Sequence, residues 1–127
     1  MEWRELSPWG FTPLPQGNCG GDDAGAVGWY GQNSESHTHS VGQKQANGYG
    51  LYDMSGNVWE WVEDCYHNSY AEAPGDGSAA EWDCGRRVLR GGSWDDNPYQ
   101  QRAENRYSNG DLVRSNNSGF RLARMLP

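Results

Sequence analysis

Asp53 and Glu60 bracket the dipeptide Gly56-Asn57 in the stretch Gly50-Leu51-Tyr52-Asp53-Met54-Ser55-Gly56-Asn57-Val58-Trp59-Glu60-Trp61. Two carboxylates flanking a glycine turn, where main-chain carbonyls are freed, form an all-oxygen donor set. Such a set suits Ca²⁺, a hard cation that tolerates irregular coordination. On the residues alone, a solvated acidic rim is the commoner outcome of such a pair. His37-Thr38-His39 could place two imidazoles on one face of a strand, but no third ligand has a fitting spacing, so surface histidines are the expectation there. Of the three cysteines, Cys19 lies in a Gly-rich turn with no nearby base. Cys65 and Cys84 enclose a segment rich in Asn, Ser, Gly, Pro and Asp that could not fold alone, and either a disulfide or two reduced thiols fits that spacing.

The elements around these residues are short. Gly56-Asn57 marks a tight turn, and the alternation of Val58, Glu60 and Val62 with Trp59 and Trp61 predicts a strand with its tryptophans packed inward. Pro8, Pro13 and Pro15 break the first 28 residues into turns, with a hint of a helix end at Trp3 to Leu6. Val88, Leu89, Trp94, Phe120 and Leu122 are expected to pack, and between them Asp95 to Ser118 is polar and without helix or strand periodicity. A long polar segment held at both ends by core residues is usually presented to a ligand.

Composition narrows the class. The 127 residues suit one domain, and with 18 glycines, 7 tryptophans, 7 tyrosines and 35% hydrophobic residues the core rests on a few aromatics separated by turns. No apolar run approaches the roughly 20 residues that span a bilayer, and the first residues lack the basic-then-apolar profile of a secretion signal. The net charge is −7, yet every arginine except Arg4 lies after Gly85. Arginine without lysine, interleaved with glycine and aromatics, predicts pairing with the acidic first part and argues against nucleic-acid binding.

Three ordered motifs carry a resemblance: Gly50 to Trp61, Arg87-Val88-Leu89-Arg90-Gly91-Gly92-Ser93-Trp94, and Gly119-Phe120-Arg121-Leu122. They resemble the formylglycine-generating enzyme (sulfatase-modifying factor) domain family, and Pro8-Trp9-Gly10 and Gly17-Asn18-Cys19 look like its upstream landmarks. The resemblance implies an α+β, irregular, loop-rich C-type-lectin-like fold with small twisted antiparallel sheets. It implies a single domain over residues 1–127 that is short at its N-terminal side. It also implies a Ca²⁺ site with Asp53 and Glu60 as side-chain ligands and Gly56 and Val58 as carbonyl donors.

The chain departs from the family's chemistry. Its oxygen-dependent enzymes use two cysteines, five positions apart, that bind copper. The matching positions here are Asp96 and Gln101, and no cysteine follows Cys84. Thiolates select Cu(I), so neither copper nor formylglycine generation is expected, and the catalytic set is empty.

One branch of the family resembles this chain further. The variable proteins of diversity-generating retroelements carry their mutable segment between the same two motifs, which here gives a variable ligand-binding region at 87–122. Tyr107 to Asn116 contains only residue types that adenine mutagenesis of asparagine codons can produce. The expectation is a non-catalytic domain that offers a protein or other macromolecular ligand Asp95, Asp96, Asn97, Tyr99, Tyr107, Asn109, Asp111, Leu112 and Arg114. Tyrosine among small polar residues makes an adaptable binding surface. Arg102, Arg106 and Arg121 are expected to hold the frame beneath it. The alternatives are an oxidase relative and a structural or regulatory domain of a larger protein. The possible Cys65–Cys84 bridge places an exported, cell-surface or viral-surface setting ahead of a cytoplasmic one.

Overall fold

The structure, a computed structural model, describes residues 23–123 other than 70, 72, 77, 82 and 83. The expected helix end at Trp3 to Leu6, the upstream landmarks and Cys19 lie outside these residues.

Asp23 opens the first element, because its carboxylate accepts from the backbone N–H groups of Gly25 and Ala26 and so caps a single helical turn, α1 (Ala24–Val27). Strand β1 (Gly28–Trp29) follows and pairs in parallel with β2 (Ser55–Gly56). This contact demands glycine on both sides. A Cβ at Gly28 would stand 2.4 Å from the Ser55 carbonyl oxygen, and one at Gly56 would stand 2.2 Å from that of Trp29. Gly56 and Asn57 both have positive φ, of 75° and 68°, so the chain turns sharply here, as the Gly-Asn pair predicts.

The main sheet has the order β5 (Tyr107–Asn109), β4 (Arg87–Arg90), β3 (Trp59–Cys65), β6 (Ser118–Gly119). Strands β3 and β4 pair antiparallel with Glu60 opposite Arg90 and Trp61 opposite Leu89, and the register shifts between Trp61 and Cys65. The β4–β5 pairing is also antiparallel, with Val88 opposite Ser108. The sheets are thus small, as the fold class requires, but two of the pairings, β1 with β2 and β3 with β6, are parallel rather than antiparallel. Each spans two residues, and its strands are far apart in sequence, so no hairpin sets their direction.

Apolar burial is modest. Met54 and Leu89 are fully enclosed, with Val27, Trp59, Val88, Ala80 and Cys65 nearly so. Among the described residues more polar and charged side chains are buried than apolar ones: Ser34, Asn47, Asp53, Ser55, Asn57, Glu60, Arg90, Ser93, Gln101 and Ser108. Most of them replace missing secondary structure as backbone partners. Asn57 exchanges hydrogen bonds with the backbone of His39 in both directions, at 2.9 and 3.0 Å. Asn47 accepts from the N–H groups of Tyr49 and Leu51. One guanidinium nitrogen of Arg90 donates to the carbonyls of Ala103, Glu104 and Asn105 at 3.0–3.3 Å. Irregular backbone leaves unpaired amides that side chains must satisfy.

A disulfide joins Cys65 at the end of β3 to Cys84, with 5.5 Å between their Cα atoms. Two packing expectations fail. Phe120 and Leu122 are 75% and 90% exposed, because β6 ends at Gly119 and the chain beyond it runs along the rim of a cavity.

Candidate functional site

Two surfaces gather the residues singled out from the sequence. The first is a 410 Å³ cavity lined by Asp53, Gly56, Val58 and Glu60 together with Val41, Tyr52, Phe120 and Arg121. All four expected calcium-site residues therefore converge. The turn that brings them together is left-handed at Asp53 (φ 57°) as well as at Gly56 and Asn57. Non-glycine residues reach that region at a cost, which surrounding contacts must offset.

The charges inside this cradle are already partly matched. Arg121 donates from Nε to Glu60 Oε2 at 2.7 Å and from a terminal nitrogen to Oε1. The same guanidinium reaches the carbonyls of Tyr52 and Asp53, at 3.1 and 2.9 Å. The hydrogen bond to Glu60 raises the Arg121 pKa above its ordinary value in spite of partial burial. Asp53 Oδ2 accepts from the Gly42 N–H at 2.7 Å, whereas Asp53 Oδ1 is buried and has no hydrogen-bond partner.

A hard cation fits this donor set. Asp53 Oδ1 is buried without a hydrogen-bond partner and Gly56, Val58 and Glu60 line the same space, while the Gly56 carbonyl already accepts from the Val58 N–H at 2.9 Å. Among the described residues there is no group of three or more His, Cys, Asp or Glu side chains able to hold a metal, so main-chain oxygens have to complete any coordination shell. His39 stacks on Trp29, with ring centroids 3.7 Å apart, and His37 lies tilted against His39 at 4.4 Å.

The second surface is the segment from Ser93 to Ser118. Its first end is held by buried Ser93: the hydroxyl donates to Asp95 Oδ1 at 2.6 Å and also contacts the Asp96 carboxylate, which accepts from the Ser93 N–H at 3.0 Å. Asn117 donates to Asp95 across the segment. Asn97 then caps a 3-10 turn (Pro98–Gln101) in a reciprocal capping box with Gln100. The expected ligand residues thus divide. Tyr99, Tyr107, Asp111, Leu112 and Arg114 are exposed, and Asp95 and Asn97 are exposed but hydrogen-bonded within the loop. Asp96 and Asn109 are half-buried, and Asn109 caps the Gly110 N–H. Their exposure differs from expectation because a loop of this length needs internal acceptors for its own amides.

Of the expected frame residues, Arg121 pairs with Glu60 as described, and Arg102 lies over the Tyr99 ring at 4.2 Å, with Glu104 at 3.9 Å. Arg106 lies over Tyr66. Arg90 was not singled out in the sequence, although its place beside the Gly-Gly pair could have signalled a structural role. Gln101, expected from the resemblance at one of the two family cysteine positions, is completely buried, with neither end of its amide hydrogen-bonded. It fills the space that Gly28, Gly56 and Gly92 leave open.

Small mixed sheets joined by hydrogen-bonded loops, a buried Glu60 paired with a half-buried Arg121 beneath a glycine turn and a long displayed loop define an irregular, C-type-lectin-like class of α+β domain. The match is specific. Residues 15–126 match the family model for the sulfatase-modifying factor enzyme 1-like domain, and the chain belongs to that family. It is 35% identical over 127 residues to the serine/threonine-protein kinase pkn1 of Chlamydia caviae, covering 97% of this chain and 20% of that one. It is 40% identical over 95 residues to the formylglycine-generating enzyme of Streptomyces coelicolor, covering 68% and 29%. The solved structure of Treponema denticola variable protein 1 superposes with a TM-score of 0.78 at 34% identity, over 94% of this chain and 43% of that one. The chain thus spans less than half of each of these proteins. No helix among the described residues is long and apolar enough to cross a membrane.

Proposed function

We propose that this domain is a non-catalytic binding module that presents the segment between Trp94 and Ser118 to a protein or other macromolecular ligand. The observation that carries the reading is a division of labour within that segment. Asp95, Asp96, Asn97 and Asn117 satisfy the loop's own donors, while Tyr99, Tyr107, Asp111, Leu112 and Arg114 stand exposed and Leu112 is 90% accessible. A rigid frame with aromatic and adaptable polar residues on its outside lowers the ordering cost of binding.

Likeness to a variable protein supports display, and likeness to a formylglycine-generating enzyme supports the oxidase alternative. The oxidase reading is disfavoured by the residues at the matching positions: Asp96 is tied to Ser93, Gln101 is enclosed, and neither supplies a thiolate. The function therefore needs no copper. A structural Ca²⁺ in the Asp53 cradle belongs to the same reading, as the ion that would fix the turn leading into β3. The disulfide favours an exported or surface setting, cellular or viral, and the acidic net charge speaks against nucleic acid as the ligand.

The test is a comparison of sibling copies of the coding sequence in related genomes. Differences confined to codons for the exposed positions of 95–118, with Arg87 to Trp94 and Gly119 to Leu122 unchanged, are the expected result. Differences spread evenly along the chain, or copper-dependent oxidation of a cysteine peptide by the purified protein, would overturn it.

A further inference from the structure

The chain contains two Asn-Gly pairs, Asn47-Gly48 and Asn109-Gly110. In each, an asparagine amide precedes a backbone nitrogen whose own residue has no side chain to block its approach, the setting in which asparagine is chemically labile. The fold holds the two pairs in opposite states. Asn47 is buried, and its Oδ1 accepts from the N–H groups of Tyr49 and Leu51 at 2.9 and 3.0 Å. Its backbone N–H donates to the Leu51 carbonyl and its carbonyl accepts from the Gly50 N–H, so the amide is fixed on residues beyond Gly48. Asn109 is half-buried at the end of β5, and there the N–H of Gly110, its immediate neighbour, donates to Asn109 Oδ1 at 3.1 Å.

We propose that Asn109 is a modification site, deamidated through attack by the Gly110 backbone nitrogen with water as the only co-reactant. The hydrogen bond sets that nitrogen beside the carbonyl group whose carbon it attacks. A Cβ at Gly110 would meet no atom nearer than 3.6 Å, and residues 111–116 are all exposed, so the chain has room to rotate into the ring-closing geometry and to follow the product. Solvent base removes the Gly110 amide proton, the nitrogen bonds to Asn109 Cγ, and the Cγ–Nδ2 bond breaks with nitrogen leaving as ammonia after taking a proton from solvent. Water then opens the five-membered imide at either carbonyl, leaving aspartate or isoaspartate. The product places a new carboxylate directly opposite Arg87 in the β4–β5 register, and the isoaspartate form adds a methylene to the backbone where the chain leaves the sheet. The surface at the end of β5 then changes charge and shape with the age of the molecule.

The reaction does not depend on the display reading, and its test leaves that reading untouched. The folded, oxidised protein is incubated in mildly alkaline buffer, digested with trypsin and read by tandem mass spectrometry. Cleavage after Arg106 and Arg114 isolates residues 107–114, in which Asn109 is the only asparagine. That peptide is expected to gain the mass of a hydroxyl exchanged for an amino group and to be labelled by an isoaspartyl methyltransferase, with Asn47 unmodified over the same period. With the disulfide reduced and the chain unfolded in urea, the two pairs should react at similar rates, because the fold alone separates them. Gly110→Ala, which the space around Gly110 admits, should lose most of the reaction while circular dichroism reports an intact fold. The proposal is overturned if Asn109 stays intact, if Asn47 reacts as fast as Asn109 in the folded protein, if the preference for Asn109 persists in urea, or if Gly110→Ala reacts at the parental rate.

Discussion

Arg121 and Glu60 meet across 61 positions of sequence, and their bidentate contact closes the floor of the Asp53 cradle while holding the end of β6 against β3. Glu60 is nearly fully buried, so its charge depends on this partner. Arg121→Ala should lower unfolding free energy by about 3–5 kcal/mol, because it leaves a buried carboxylate uncompensated. Replacing both partners, as Glu60→Gln with Arg121→Met, should cost less than the single change. Urea denaturation of the three variants checks the ordering, and an additive double mutant would refute the coupling.

That pair also marks how far the sequence could be read. The Gly-Asn turn, the Trp59 strand and the convergence of Asp53, Gly56, Val58 and Glu60 were legible, because local turn chemistry and ordered motifs place them. Burial of Glu60 was not, since strand alternation reports which residues share a face but not that Arg121 covers the polar one. The exposure of Phe120 and Leu122 was missed for a related reason. Hydrophobicity predicts packing only where another element arrives to pack, and β6 ends one residue too early. The structural roles of Arg90 and Gln101 were not legible, because carbonyl-satisfying and cavity-filling roles leave no periodic trace.

Calcium affinity in the cradle should be modest. Asp53 and Glu60 supply two negative charges, and Arg121 offsets one of them. Few ligand charges place sites of this type at a Kd on the order of 10⁻⁴–10⁻³ M. Saturating Ca²⁺ should raise the melting temperature of the parent, and Asp53→Asn, which removes one of the two charges, should abolish most of that shift. Calorimetry with and without chelator decides it; identical melting curves would remove the ion from the proposal.

The disulfide closes a loop with a sequence separation of 19, for which chain entropy gives about 3 kcal/mol. Cys65→Ser with Cys84→Ser should reduce stability by that order and loosen the segment between them, leaving the β1–β2 contact in place. Hydrogen exchange should show faster exchange at the amides of Tyr66, which donates to the Arg86 carbonyl, and Ala80, which donates to Asp64 Oδ1, both at the neck of the loop, with the Asn57 amide unaffected.

At Gln101 the burial of a polar side chain can be weighed energetically. Its amide is enclosed and unpaired, a situation that costs about 1–3 kcal/mol of desolvation. A side chain of similar length without polar atoms removes that cost and keeps the volume that Gly28, Gly56 and Gly92 leave to it. Gln101→Met is therefore expected to be neutral or to stabilise by up to about 1 kcal/mol. Gln101→Ala should destabilise by about 2 kcal/mol or more through the cavity it opens beside the β1–β2 contact. If Gln101→Met proves as damaging as Gln101→Ala in chemical denaturation, the amide has a partner, such as an enclosed water, and volume alone does not account for the side chain.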